Sequence, residues 1–137
     1  MRLQKATRFA LYAVLELARE PGRQLSAGDI AQRYGISTNH LAKVMRELGR
    51  ARLVEAERGV GGGYRFAANA KRTTLWDVVS LFEHAGRGAV EPGEETEAGA
   101  ALRVVLDEVA EIEEATLRSI SIDTMLKMRP RAKAQAA

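Results

Sequence analysis

Between residues 4 and 19 apolar side chains return at every third or fourth position, as Ala6, Phe9, Ala10, Ala13, Val14 and Leu17. That is the period of a helix with one buried face. Arg19-Glu20-Pro21-Gly22 closes it, since proline and glycine together do not continue a helix. Ser26 followed by Asp29 is a capping-box pattern, which predicts a short helix over about 27–34. Gly35 then turns the chain, and Ser37 caps a further helix over about 38–51. Ile30, Ala31, Ile36, Leu41, Val44 and Leu48 supply the small core between the two. Short helix, glycine turn and second helix are helix-turn-helix grammar. The second helix leaves Thr38, Asn39, His40, Lys43, Arg46, Glu47 and Arg50 outward. Its first turn is rich in short hydrogen-bonding groups and its later turns are basic, as reading base edges while gripping phosphates requires.

The period changes after residue 52. Leu53–Glu57 and Tyr64–Ala67 alternate or hold β-favouring residues and read as two strands. Between them runs Arg58-Gly59-Val60-Gly61-Gly62-Gly63, four glycines in five residues. A dinucleotide loop needs a helix directly after its glycines and a third glycine where Tyr64 stands, and a phosphate-binding P-loop needs Gly-Lys-Ser/Thr. Neither context is present. A hairpin is left, its glycines supplying positive φ and close backbone approach. A hairpin directly after a helix-turn-helix is a wing, with Arg58 and Arg65 as guanidinium groups for a minor groove or flanking phosphates.

A second capping box, Thr74 with Asp77, opens another helix whose stripe is Leu75, Val78, Val79 and Phe82, with Trp76 packing against its neighbours. Residues 85–96 hold glycine, proline and carboxylates and read as a mobile loop. A long helix comes next, over about 97–120. Leu102, Val105, Val109, Ile112, Thr116 and Ile120 recur along it at three- and four-residue steps, widened by Val104, Leu106 and Leu117. The rest of the chain is too small to cover such a stripe, so a second copy of the same helix is the economical cover, and a homodimer is expected. The expected architecture is therefore mainly α with a small β-wing. Residues 1–84 form a winged helix-turn-helix DNA-binding domain and 97–128 a dimerisation helix with a C-terminal helix. Residues 129–137 are expected to be a disordered basic tail.

Charge sharpens this picture. Residues 1–74 carry 14 Lys/Arg against 6 Asp/Glu, whereas 75–137 carry 7 against 12. A basic half joined to an acidic half assigns anion contact to the first. The chain has 137 residues and no cysteine, so disulfides, thiolate metal sites and cysteine nucleophiles are excluded. No apolar run approaches the roughly 18 residues of a membrane span, and Arg8, Arg19 and Glu20 break any secretory pattern. A cytoplasmic protein without a membrane partner is expected. Glu91, Glu94, Glu95 and Glu97 lie near His84, but the stretch lacks the ordered spacing of a calcium loop and reads as a solvated acidic segment. With only two histidines, and no nucleophile marked beside His84, no catalytic residue, metal or cofactor is assigned.

Met1-Arg2-Leu3, Tyr12-Ala13-Val14, Ile36-Ser37, Asn39-His40-Leu41, Lys43-Val44, Leu53-Val54 and above all Arg58-Gly59-Val60-Gly61-Gly62-Gly63-Tyr64 resemble the Rrf family of bacterial dimeric winged-helix transcription regulators. Asn39-His40-Leu41 with Lys43 is most similar to its nitric-oxide-responsive NsrR branch. The resemblance implies that Ser37, Thr38, Asn39, His40 and Lys43 face a major groove, with Arg58 and Gly59 at the wing. It also implies a palindromic double-stranded operator and repression as the outcome. Cluster-binding members of the family carry three cysteines in the region matching about 85–101, and this chain has none there; Arg8 stands where the NsrR branch offers a carboxylate. An iron–sulfur cluster is therefore not expected. Two rival readings stay open. One is control by a small-molecule effector held between the long helix and the 85–96 loop, and the other is a winged helix that binds protein partners without specific DNA.

Overall fold

A computed structural model describes residues 1–59, 62–83 and 88–128. His84, the first residues of the expected mobile loop, the centre of the glycine turn and the 129–137 tail lie outside the described residues. The elements run α1 (Lys5–Arg19), α2 (Ala27–Tyr34), α3 (Thr38–Arg50), β1 (Val54–Glu57), β2 (Gly63–Phe66), α4 (Leu75–Val79), α5 (Glu97–Arg118) and α6 (Ile122–Lys127). Both expected capping boxes are present. Ser26 and Asp29 open α2, Thr74 and Asp77 open α4, and in each the backbone N–H and side chain exchange bonds in both directions. Gly35 ends α2 in the left-handed region at φ 66°, which glycine adopts without the steric cost of a Cβ.

One core serves α1, α2, α3, the hairpin and the C-terminal turns. Ala10, Ala13, Val14 and Leu17 of α1 meet Ile30, Ala31, Leu41, Val44, Met45 and Leu48 of the helix-turn-helix, with Val54, Phe66, Val78 and Ile122 closing the sides. Each fully buried aliphatic side chain contributes about 1.5–3 kcal/mol of transfer free energy. The strands pair antiparallel, with Val54 opposite Phe66 and Glu55 opposite Arg65. Sequence periodicity missed a third contributor. Leu25 donates and accepts backbone bonds with Tyr64 at 2.9 and 2.8 Å, extending the wing by one residue of the loop before α2. A single residue has no period to read.

The long helix stops sooner than its apolar stripe. Its last residue is Arg118 and Ser119 is the C-cap, so Ile120 lies beyond the helix rather than on the apolar face expected to pair subunits. There its carbonyl accepts the Leu75 N–H at 2.9 Å, and the chain turns back so that α6 buries Ile122. The stripe continued in sequence because Ile120 is half-buried at this turn and Ile122, just beyond it, belongs to the winged domain's core. Trp76 is buried as expected, with the Arg118 guanidinium 5.7 Å from its ring.

A buried carboxylate joins α1 to α2. Glu16 accepts Arg33 Nη1 at 2.6 Å and the Tyr34 hydroxyl at 2.7 Å, while Tyr34 stacks on Tyr12 at 4.8 Å. Burial pushes the Glu16 carboxyl up, but the bonds from Tyr34 and Arg33 and the charges of Arg33 and Arg19 outweigh it and hold it below its usual value. Burial first, and then the bond to Glu16, push the Tyr34 phenol up to about 12. The folded state thus keeps the phenolic proton where an unfolded chain has lost it. This stabilisation is complete below about pH 10 and disappears as pH rises through 12. Ultraviolet titration should show a late tyrosine step near pH 12 that moves down in Glu16→Ala. A late step left unchanged in that variant would place its cause elsewhere.

Candidate nucleic-acid interface

The outer face of α3 is built by two constraints. Leu41, Val44, Met45 and Leu48 are buried, which fixes the helix's rotation and turns Thr38, Asn39, Lys43 and Arg46 to solvent. Ser37 is the N-cap and accepts the His40 N–H at 3.4 Å, so its hydroxyl is committed to the helix start but keeps its own proton for donation. His40 is half-buried, its ring edge-on to Phe9 of α1 at 5.0 Å. The structure therefore gives His40 a packing partner that sequence reasoning did not supply. Further along, Glu47 takes Arg50 at 2.9 Å, while Lys43 and Arg46 meet no carboxylate among the described residues. Two unpaired cations flanking a hydrogen-bonding first turn form a surface suited to a polyanion with readable edges.

The hairpin separates its two arginines. Arg58 is exposed directly after β1, with no carboxylate partner among the described residues, and precedes Gly59 at φ 115°. Arg65 is not at the tip. It lies within β2, bonded to Glu55, with its Nε 2.8 Å from Glu57 in an ion contact off the hydrogen-bond axis. Two carboxylates thus compensate its charge, leaving Arg58 as the wing's available guanidinium. The glycines divide their work as well. Gly59 supplies the positive φ, while Gly63 allows close approach, because a Cβ there would lie 2.7 Å from the Leu25 carbonyl carbon and oxygen. A groove of about 410 Å³ between α3 and the hairpin is lined by Arg46, Gly49, Glu55 and Tyr64.

The long helix stands apart from this interface. None of its residues is buried, and Leu102, Val105, Val109 and Ile112 are between 46% and 61% exposed. Thr116 shares that face and bonds its hydroxyl back to the Ile112 carbonyl at 2.9 Å. Residues 88–96, the described part of the expected mobile loop, fold against the start of α5. Arg103 takes Glu94 at 2.7 Å, Asp107 at 2.9 Å and the Ala89 carbonyl at 3.4 Å. The donors here are poor for iron. No thiol exists in the chain, Glu94 is held by Arg103, and Glu95 accepts the Gly93 N–H at 3.1 Å. No group of three or more His, Asp or Glu residues is assembled for a metal among the described residues. An iron–sulfur cluster does not fit. No helix among the described residues is long and apolar enough to cross a membrane.

A helix-turn-helix followed by a hairpin on one small core is a winged helix-turn-helix. Its particular branch is fixed by comparison. The sequence profile of Rrf2, described as an iron-dependent transcriptional regulator, matches residues 3–128. BadM of Rhodopseudomonas palustris, named as an HTH-type transcriptional regulator, is 57% identical over 129 residues, covering 93% of this chain and 83% of that protein. Protein aau3 of Rhizobium meliloti is 34% identical, over 95% of this chain and 88% of its own length. Among solved structures, CymR of B. subtilis, the global cysteine regulator, superposes at TM-score 0.78 with 24% identity, covering 95% of this chain and 99% of that one. IscR of T. potens superposes at TM-score 0.75 with 24% identity, covering 95% and 93%; both show a shared fold. The chain belongs to the Rrf2 family of transcriptional regulators.

Proposed function

We propose that the protein is a homodimeric transcription repressor that binds a pseudo-palindromic double-stranded operator without an iron–sulfur cluster. The observation that carries it is the outer face of α3, where Thr38, Asn39, Lys43 and Arg46 are exposed and both cations lack carboxylate partners among the described residues. Thr38 and Asn39 read base edges from the first turn, with Ser37 and His40 at its border, and Lys43 and Arg46 hold phosphates. Arg58 and Gly59 reach the flanking groove from the wing, and Arg65 steadies the hairpin beneath them. The exposed face of α5 supports pairing of two subunits, with repression resulting when the bound dimer blocks transcription. The protein would act in the cytoplasm, where its DNA lies, and nothing at the site equips it for catalysis.

The test is selection of genomic fragments by purified protein, against excess competitor DNA at near-physiological salt. Enrichment of one two-fold-symmetric motif is the expected result, and no motif above background would count against sequence-specific binding. On the selected site, Arg58→Ala should weaken affinity by about tenfold and flatten the salt dependence by about 0.9 in the log–log slope, the signature of one lost phosphate contact. An unchanged slope would remove Arg58 from the interface. A second reading, control by a small-molecule effector, is favoured by a groove of about 350 Å³ between Pro92–Thr96 and Leu102, Arg103 and Leu106 of α5. A compound that raises the melting temperature and shifts operator affinity would establish it.

A further inference from the structure

Helix α1 starts without a cap of its own. Gln4, its N-cap residue, makes no side-chain capping bond, and the third helical residue is Thr7 rather than the acid that completes the boxes of α2 and α4. The missing carboxylate comes from 79 residues away. Glu83 Oε1 accepts the Gln4 N–H at 2.6 Å and the Thr7 hydroxyl at 2.6 Å, so the carboxylate half of a capping box is supplied from a distant part of the chain. A carboxylate also complements the positive end of the helix dipole. Thr7 is fully buried, so its hydroxyl has no water to turn to if Glu83 withdraws.

The position of Glu83 makes this more than a local bond. Its own N–H is held by the Val79 carbonyl at 3.0 Å, at the end of the α4 turns and just ahead of the segment that leads to α5. On the other side, the next turn of α1 presents Phe9 to the His40 ring at the start of α3. The amino terminus of the chain meets Glu113 of α5 at 3.4 Å, so the beginning of α1 is held from α4 and from α5 together. We propose that Glu83 is a positioning residue for DNA recognition: by capping α1 it sets Phe9 against His40, and so ties the register of the recognition helix to the α4–α5 connection. The inference rests on α3 being the reading element.

The experiment compares Glu83→Ala, Glu83→Gln and Thr7→Val with the parent on the fragment that the parent selects and on scrambled DNA of equal length and charge. Glu83→Ala should raise the Kd for the selected fragment about fivefold, the equilibrium equivalent of one helix cap, while scrambled DNA is bound as before. Thr7→Val, which keeps the buried volume, should move in the same direction by less. Glu83→Gln retains an acceptor oxygen and should recover most of the affinity. Amide hydrogen exchange at residues 38–43 should quicken in Glu83→Ala and return towards the parent rate in Glu83→Gln. A role confined to stability predicts a different pattern, in which both DNAs weaken in step and exchange quickens uniformly, and that pattern overturns the proposal. Unchanged affinity and unchanged exchange overturn it equally. Should the parent select no motif, the reading of α3 fails on its own, and the exchange comparison still decides whether Glu83 governs the start of α3.

Discussion

Val105→Glu should convert the protein to a monomer and lower operator affinity by roughly 100-fold or more. Val105 lies centrally in the run Leu102, Val105, Val109, Ile112 and Thr116, spaced three and four residues apart as in a coiled-coil seam. These side chains stay exposed on a 22-residue helix that buries nothing within the protomer. Two-fold pairing would place two new carboxylates at one dry seam, each an uncompensated buried charge costing about 3–5 kcal/mol. The protomer has no stake in the position, because Val105 is already 55% exposed in it. Circular dichroism should therefore show the parent's helix content while sedimentation shows half the mass. Operator affinity falls because half-sites once bound together are bound singly. A variant that still sediments as a dimer would move the pairing surface off this face of α5.

Gly63→Ala should lower the melting temperature by about 5–10 °C, from a cost of about 2 kcal/mol. A Cβ at this position would lie 2.7 Å from the Leu25 carbonyl carbon and oxygen and 3.0 Å from the Ser26 nitrogen. All three are backbone atoms, which cannot swing aside as a side chain can. Relief would break the paired Leu25–Tyr64 bonds and tilt the hairpin away from the start of α2, carrying Arg58 with it. Operator binding should weaken beyond what the stability loss explains, measured at a temperature where the variant is fully folded. Gly49→Ala is the control. It lies inside α3 with nothing within 4 Å of the added carbon, so helix propensity alone should raise stability by about 0.5–1 kcal/mol. Equal melting temperatures for parent and Gly63→Ala would mean that the wing can shift without loss.

Local chemistry and helical period were legible in the chain. Ser26 with Asp29 and Thr74 with Asp77 declared two helix starts, and Gly35 a helix end, because capping bonds and left-handed turns depend on residues within four positions of one another. The α3 stripe of Leu41, Val44 and Leu48 told which face of that helix would turn outward, although Met45 joined the buried side and His40, expected outside, packs on Phe9. The run from Arg58 to Gly63 excluded phosphate loops, because Tyr64-Arg65 and a strand come after it, and left a hairpin. The absence of cysteine ruled out thiolate ligands outright.

Groups far apart in sequence are a different matter, since no periodicity encodes their meeting. Arg65 looked like a second tip cation, and cross-strand pairing placed it between Glu55 and Glu57. Ile120 continued a helical stripe, yet the chain turned at Ser119 because Ile122 is buried in the winged domain's core. Glu83 carried no motif at all, and became the cap of α1 only when the end of the α4 turns was laid against Gln4 and Thr7. The order of residues was enough to specify the winged helix-turn-helix, the polar and basic outer face of α3 and an apolar helix left exposed. The packing of one small core settled which charges are paired, where the long helix ends and which distant carboxylate caps the start of α1. The division is one of range: capping and period act over a few residues, whereas pairing of charges and donors depends on whichever distant groups the core brings within hydrogen-bond reach.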